Sequence, residues 1–292
     1  MSKQPKIYKH IGVEPITPVI GAEVTCSNLA KQQPPGFLQE IHFALMRHQV
    51  LFLNNQGITP SEFSAWASQF GRLRKARRAA FELLEEAPEV AVIVNDKNRP
   101  PNVNHFHTDG IFRKHPEFAS ILHGKEVPDY GGDTIFVSMT AAYEALSSDM
   151  KSYLAHKTAT QDFMKLHGSA SKARSWKGEN AIRMRAMAKD HPPISHPIVR
   201  KHPVTGQPGL YVSESFTRCI DNVPVDESDA KLLELYRHYE RPEFQCRFRW
   251  RPNSIAFWDN RATLHYAVAD YWPQKRLMHR LTIETDALGS DG

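Results

Sequence analysis

Apolar residues in this chain come in short bursts, most of them with the period of a strand and bounded by glycine or proline. Residues 7–30 read as short strands broken at Gly12, Pro15, Pro18 and Gly21, before the turn-like run Gln32-Gln33-Pro34-Pro35-Gly36. From Phe37 the spacing changes. Phe37, Leu38, Ile41, Ala44 and Leu45 recur at helical intervals, and Val50-Leu51-Phe52-Leu53 is a continuous apolar run expected of a buried strand. Thr59-Pro60-Ser61-Glu62 supplies an N-cap, a proline at the first helical position and a capping acid, so a second helix should run to near Gly71. Two helices flanking a sheet are expected.

Strands follow at 89–94, 118–122 and 134–137, with helices at 140–146 and 149–156. Between the first two strands, 96–102 is a polar, proline-broken loop. Residues 169–193 are polar, rich in Lys, Arg and Met and weakly patterned, which predicts a mobile or inserted segment that could cover a site. Strand pattern resumes at 196–202 and 209–212 around the turn 203–206. An amphipathic helix is predicted over 226–239, where Leu232, Leu233, Leu235 and Tyr236 follow an acidic start. The last quarter is strand again: Phe244, Cys246, Phe248 and Trp250 alternate with polar residues, and 255–258 and 276–285 complete the set. Many strands with few helices and no regular alternation favour an antiparallel sandwich or jelly roll over a doubly wound sheet. The expected organisation is one domain over residues 1–292.

Composition narrows the class. Among 292 residues, 41% are hydrophobic and 24% charged, which is globular rather than disordered or fibrous. No stretch of some 18 apolar residues occurs and the first fifteen residues lack a signal-peptide core, so a cytoplasmic protein that does not span a membrane is expected. Cys26, Cys219 and Cys246 are odd in number and form no CxxC pair, against a disulfide framework or zinc knuckle. The net charge of +5 is spread along the chain except at Arg72-Leu73-Arg74-Lys75-Ala76-Arg77-Arg78. No nucleic-acid motif accompanies that cluster. A solvated face is the first expectation for it, and attraction of a small anion the second.

The candidate chemistry begins at His107-Thr108-Asp109. In extended backbone His107 and Asp109 share a face while Thr108 points away, so an imidazole and a carboxylate can converge on one ion. Such a mixed donor set suits Fe(II), provided a second imidazole arrives from elsewhere and coordination sites stay open. The candidate is His265, which follows an apolar strand and the polar turn Asp259-Asn260-Arg261. The strand after it carries Arg276 and Arg280, four apart and hence on one face, with Met278 between them and Leu277, His279 and Leu281 opposite. Two inward guanidinium groups would need anionic partners, and Arg binds carboxylates bidentately. From periodicity alone, two arginines on a solvent-facing edge strand fit equally well.

Taken together, His107-Thr108-Asp109, Gly131-Gly132-Asp133-Thr134, the run from His196 to Gly206, Trp258-Asp259-Asn260-Arg261, His265-Tyr266 and Met278-His279-Arg280 resemble the taurine dioxygenase family of Fe(II)- and 2-oxoglutarate-dependent oxygenases. The resemblance runs from Gly21 to Asp286. It implies a distorted double-stranded β-helix (a cupin-like jelly roll, mainly β with flanking α) and an iron triad of His107, Asp109 and His265. It further implies that Thr134 and Arg276 hold the distal carboxylate of 2-oxoglutarate, with Arg280 near the 1-carboxylate and the substrate's acidic group. Asp109 in the carboxylate position implies oxygenation rather than halogenation.

The resemblance thins at the substrate. The stretch after Phe70-Gly71 has neither the histidine nor the tyrosine of taurine-specific members, and Val103 stands where they carry an asparagine, with Asn104 beside it. Phe216 and His167 match pocket positions, and His105 lies two residues before the first ligand. Core packing for Phe216, and solvent exposure for the histidines, are the competing expectations. The function expected is hydroxylation of a small anionic substrate (a sulfonate, sulfate ester, aryloxyalkanoate or amino or carboxylic acid) with dioxygen and 2-oxoglutarate, releasing succinate and CO2. A non-catalytic jelly-roll module binding a small acid is the alternative from another class, and duplex DNA binding through 72–78 a weaker one. No nucleic-acid partner is expected, and a homo-oligomer stays open.

Overall fold

A computed structural model describes residues 8–76, 82–167 and 178–289. The first strands, β1 (Gly12–Pro15) and β2 (Ala22–Thr25), form an antiparallel pair. Helix α1 (Phe37–His48) then returns the chain to β3 (Val50–Leu53), which lies parallel to β2. At α2 (Pro60–Ala67) the capping box forms as the sequence predicts: the Thr59 hydroxyl accepts from the Glu62 N–H, and the Glu62 carboxylate accepts from the Thr59 N–H. β4 (Glu82–Leu84), β5 (Ala87–Asn95), β6 (Ala119–Glu126) and β7 (Thr134–Ser138) lead to the short helices α3 (Met139–Glu144) and α4 (Ser148–Leu154).

Next come β8 (Thr158–Gln161), α5 (Phe163–His167) and α6 (Gly178–Asp190). The small strands β9 (Ile194–Pro197), β10 (Val199–Lys201), β11 (Pro208–Leu210) and β12 (Thr217–Ile220) precede α7 (Val225–Tyr239). The chain ends with β13 (Gln245–Phe248), β14 (Ile255–Asp259), β15 (Thr263–Ala267) and β16 (Arg276–Ile283). Among the described residues, no helix is long and apolar enough to cross a membrane.

The strands assemble into an eight-stranded sheet of order β1-β2-β3-β14-β6-β16-β5-β4, two three-stranded sheets, β13-β7-β15 and β12-β8-β9, and the pair β10-β11. Because side chains alternate along a strand, the large sheet buries both faces against different partners. On one face Val50, Phe52, Ala256, Trp258 and Met278 meet Phe136, Cys246 and Phe248 of the β13-β7-β15 sheet. Phe52 stacks on Phe248 with ring centroids 4.1 Å apart, and Phe136 packs against Trp258 at 5.5 Å. On the other face Leu51, Leu53, Ile121, Ile255, Phe257 and Leu281 lie under Ile41 and Leu45 of α1 and Phe63 and Trp66 of α2. Each such side chain contributes about 1.5–3 kcal/mol on burial, which is why this sheet can serve as the rigid floor of a site.

Two expectations are corrected. β16 is hydrogen-bonded to β5 on one side and β6 on the other, so Arg276 and Arg280 do not sit on an edge strand. Residues 178–190 form a helix, with Met184 buried among Ile111, Phe163, Tyr211 and Phe216. Its single buried methionine gives too little apolar periodicity to show in the sequence. Positions 169–177 of the expected mobile segment lie outside the described residues.

Candidate metal centre

His107, Asp109 and His265 come together across 158 positions of sequence because two backbone bonds staple the loop to β15. The His107 N–H donates to the His265 carbonyl at 3.0 Å, and the His265 N–H returns to the His107 carbonyl at 2.7 Å. One ligand atom from each of the three side chains lies within 4.8 Å of the others, and all three residues are buried. Thr108 points away, as its place in the alternation requires, and its hydroxyl donates to the Asn260 carbonyl at 2.8 Å.

The protonation states suit a cation. Burial pushes the His107 imidazole below the usual histidine range, against the opposing pull of Asp109. Burial does the same to His265 more strongly, with His107 adding to it. Both rings are therefore neutral, the form that offers a lone pair to a metal. Nδ1 of His107 donates to the His105 carbonyl at 2.9 Å, which leaves Nε2 as its lone-pair nitrogen. Nδ1 of His265 is buried without a hydrogen-bond partner among the described residues. For Asp109, burial alone would raise the carboxyl's pKa, but the Arg280 guanidinium, the two imidazoles and the Ser120 hydroxyl together hold it well below the carboxylate range. Two neutral imidazoles and one carboxylate fit Fe(II).

The arginines on β16 divide. Arg276 is buried, and its Nε and Nη2 atoms have no hydrogen-bond partner among the described residues. Its guanidinium carbon lies 5.6 Å from the Trp250 ring centroid and 5.9 Å from that of Tyr271. Burial depresses its pKa, the signature of a cation kept from water without its counter-ion. The Trp250 indole N–H donates to the Thr134 hydroxyl at 2.9 Å, so Thr134 and Arg276 flank the same ring. A carboxylate fits between such groups. Arg280 is already paired, its Nη2 lying 2.8 Å from Asp109 Oδ2.

In the basic stretch Arg72 and Lys75 are exposed, as expected of a solvated face, while Arg74 is half-buried and departs from it. Arg72 and Arg74 both pair with Glu284, and Arg74 also meets Glu117, whose Oε1 pairs with Arg113 as well at 3.0 Å. The backbone explains this: Leu73 bridges to Ile283, which turns Arg74 toward the face of β16 that carries Arg280. Gly110, at φ 68°, leaves the space that the Glu117 carboxylate fills, where a β-carbon would collide with it. Residues 77 and 78 lie outside the described residues.

The remaining candidates disperse. Phe216 is buried and packs on Phe112 at 5.1 Å, so it belongs to the core cluster of Ile111, Phe163, Met184 and Tyr211. His105 is half-buried, its ring centroid 5.2 Å from that of His107, and Asn104 is exposed. His167 ends α5, and its side chain lies outside the described residues. Sequence reasoning missed Ser120, whose hydroxyl donates to Asp109 Oδ2 at 2.7 Å, and the side chain of Asn260 behind it. A serine inside the apolar run Phe118-Ala119-Ser120-Ile121-Leu122 was the available signal.

Comparison with known proteins agrees with this geometry. The profile of the family described as taurine catabolism dioxygenase TauD, TfdA family, matches residues 12–282. A Schizosaccharomyces pombe protein named for alpha-ketoglutarate-dependent sulfonate dioxygenase activity is 32% identical over 80% of this chain, which spans 60% of that protein's length. An alpha-ketoglutarate-dependent sulfate ester dioxygenase of Pseudomonas putida is 29% identical over 97% of this chain and 92% of its own. The crystal structure of a taurine dioxygenase from Burkholderia xenovorans superposes with a TM-score of 0.80 at 33% identity, covering 97% of this chain and 93% of the other.

Proposed function

Since the chain belongs to the taurine catabolism dioxygenase TauD, TfdA family, an oxidoreductase family, we propose that it is an Fe(II)- and 2-oxoglutarate-dependent dioxygenase hydroxylating a small anionic compound. Sulfonates and sulfate esters lead the substrate classes, ahead of aryloxyalkanoates and amino or carboxylic acids. Residues 1–292 act as one domain in this reading, and the packed sheets form the distorted double-stranded β-helix of a jelly roll. The three cysteines, all free, support a reducing compartment.

The observation that carries this reading is the juxtaposition of a buried His-Asp-His set with a buried arginine lacking an anion. His107, Asp109 and His265 would hold the iron, which when bound supplies dioxygen activation coupled to oxidative decarboxylation of the keto acid. In the net reaction substrate R–H, O2 and 2-oxoglutarate become R–OH, succinate and CO2. Arg276 and the Thr134 hydroxyl receive the distal carboxylate, the guanidinium contributing charge and the fork contributing orientation. Arg280, one guanidinium away from Asp109, supplies positive charge beside the triad for the 1-carboxylate and for the substrate's acidic group. Phe112 and Phe216, packed on each other at 5.1 Å, are the candidates for an apolar wall that would keep water from the reacting centre. His105, Asn104 and His167 are the polar candidates for the substrate itself. Taurine is disfavoured, because Arg72 to Arg78 and Val103 replace the residues that would hold it.

Anaerobic addition of Fe(II) and 2-oxoglutarate should produce a visible charge-transfer band. Oxygen-dependent succinate release should then rise with one member of a panel of alkyl sulfonates, alkyl sulfates, aryloxyacetates and amino acids. His107→Ala should remove both signals from a folded protein. A folded wild-type protein that shows no band and no succinate would end this reading.

A further inference from the structure

Asp109 Oδ2 forms an ion pair with Arg280 and accepts a hydrogen bond from a residue that is not itself a ligand-binding group. The donor is Ser120, at a position in β6 where both neighbouring strands are paired and the residue is wholly buried. A hydroxyl there is costly unless both its donor and acceptor capacity are used. Both are. The Asn260 amide Nδ2 donates to Ser120 Oγ at 3.0 Å, and Asn260 Oδ1 accepts from the Trp258 indole N–H at 2.9 Å.

The direction of this chain is fixed by chemistry. An indole N–H can only donate, so the Asn260 oxygen must face Trp258 and its NH2 group must face Ser120. Ser120 therefore accepts from Asn260 and has a single proton to give, which goes to Asp109 Oδ2. Asn260 also holds the loop, since its carbonyl accepts from the Thr108 hydroxyl. One residue thus anchors both the backbone beside Asp109 and, through Ser120, the carboxylate.

We propose that Ser120, oriented by Trp258 and Asn260, is a positioning residue that holds the Asp109 carboxylate by engaging Oδ2, so that Oδ1 would remain available to a metal. This rests on the iron-centre reading above. Outer partners of metal ligands typically change metal affinity about 10–100-fold when removed.

The test is anaerobic Fe(II) titration of the full chain, followed by tryptophan fluorescence, with Ser120→Ala, Ser120→Cys and Ser120→Thr beside the wild type. Folding is verified by circular dichroism of each metal-free protein. Ser120→Ala should raise the Fe(II) Kd about 10–100-fold. Ser120→Cys, which keeps the size but donates weakly, should fall between alanine and wild type, and Ser120→Thr, which keeps the hydroxyl, should restore tight binding. If Ser120→Ala does not fold, Ser120→Cys alone should still weaken binding at least severalfold. An Fe(II) Kd within twofold of wild type in folded Ser120→Ala or Ser120→Cys overturns the assignment while leaving the iron centre standing. Failure of the wild type to bind iron would overturn both.

Discussion

At the residue scale, Arg276 is the most informative side chain because it is incomplete. A buried guanidinium with open Nε and Nη2 positions costs stability, whereas its worth appears only when an anion arrives. Arg276→Met, similar in volume but apolar, should therefore leave the ligand-free protein at least as stable as the wild type in thermal unfolding. The same change should raise the KM for 2-oxoglutarate about 10–100-fold, the equivalent of about 1.5–3 kcal/mol for a charge-assisted bond, with Fe(II) affinity unchanged. An unchanged KM would remove Arg276 from the co-substrate site. The arginine was legible as one of a same-face pair, and the His-x-Asp triplet was legible because a strand's alternation decides which side chains converge. Ser120 was not, since a small hydroxyl within an apolar run carries no spacing rule, and its role depends on Asn260, which is 140 positions away.

At the scale of elements, the turn between β14 and β15 is held to the first helix and to the chain's end by buried ion pairs. Arg261 is bidentate to Asp259, Nε donating to Oδ1 and Nη2 to Oδ2, and reaches Asp286 Oδ2 at 2.9 Å, while His42 of α1 bonds Asp286 Oδ1 and His202 bonds Asp259 Oδ2. Arg261→Ala would leave two buried carboxylates short of their cation, a loss of about 3–5 kcal/mol, and because His265 follows that turn it should also weaken Fe(II) binding. Chemical denaturation with and without iron measures both effects. A loss under 1 kcal/mol would mean that water replaces the guanidinium at no great cost. Elements with strong local signals were legible: α2 by its capping box, α7 by its apolar stripe, and β14 by its unbroken apolar run. β8 was not, because Thr158-Ala159-Thr160-Gln161 is too short and mixed to declare itself and is a strand only through pairing with β9 and β12. The same holds for residues 178–190, whose helix rests on contacts with Phe163 and its neighbours rather than on their own pattern.

At the scale of the whole molecule, acid should weaken the fold in two steps that different residues control. His123 and His279 face each other across β6 and β16, in the middle of the large sheet, with His123 also packed on Phe63 of α2. Burial, and after it the nearby Lys125 charge, pushes His123 down to about 3 and His279 to about 4. In the unfolded chain both titrate near 6.5. As pH falls from about 6.5 toward 4, the unfolded state takes up protons that the folded state refuses, so stability declines across that window. His107 and His265, also lowered, add to the slope in the iron-free protein. Asp259 and Asp286 lose their contribution in the same direction but at lower pH: burial would raise their pKa values, but their arginine and histidine partners hold them down. Their contribution is intact above about 4 and lost only below it. Urea midpoints of iron-free protein at pH 7.5, 6, 5 and 4 should fall steadily, and His123→Gln, which cannot protonate, should flatten the decline. A variant with the wild-type slope would show that the His123–His279 pair does not govern this step, leaving the other lowered histidines, His48, His196 and the metal ligands, as its source.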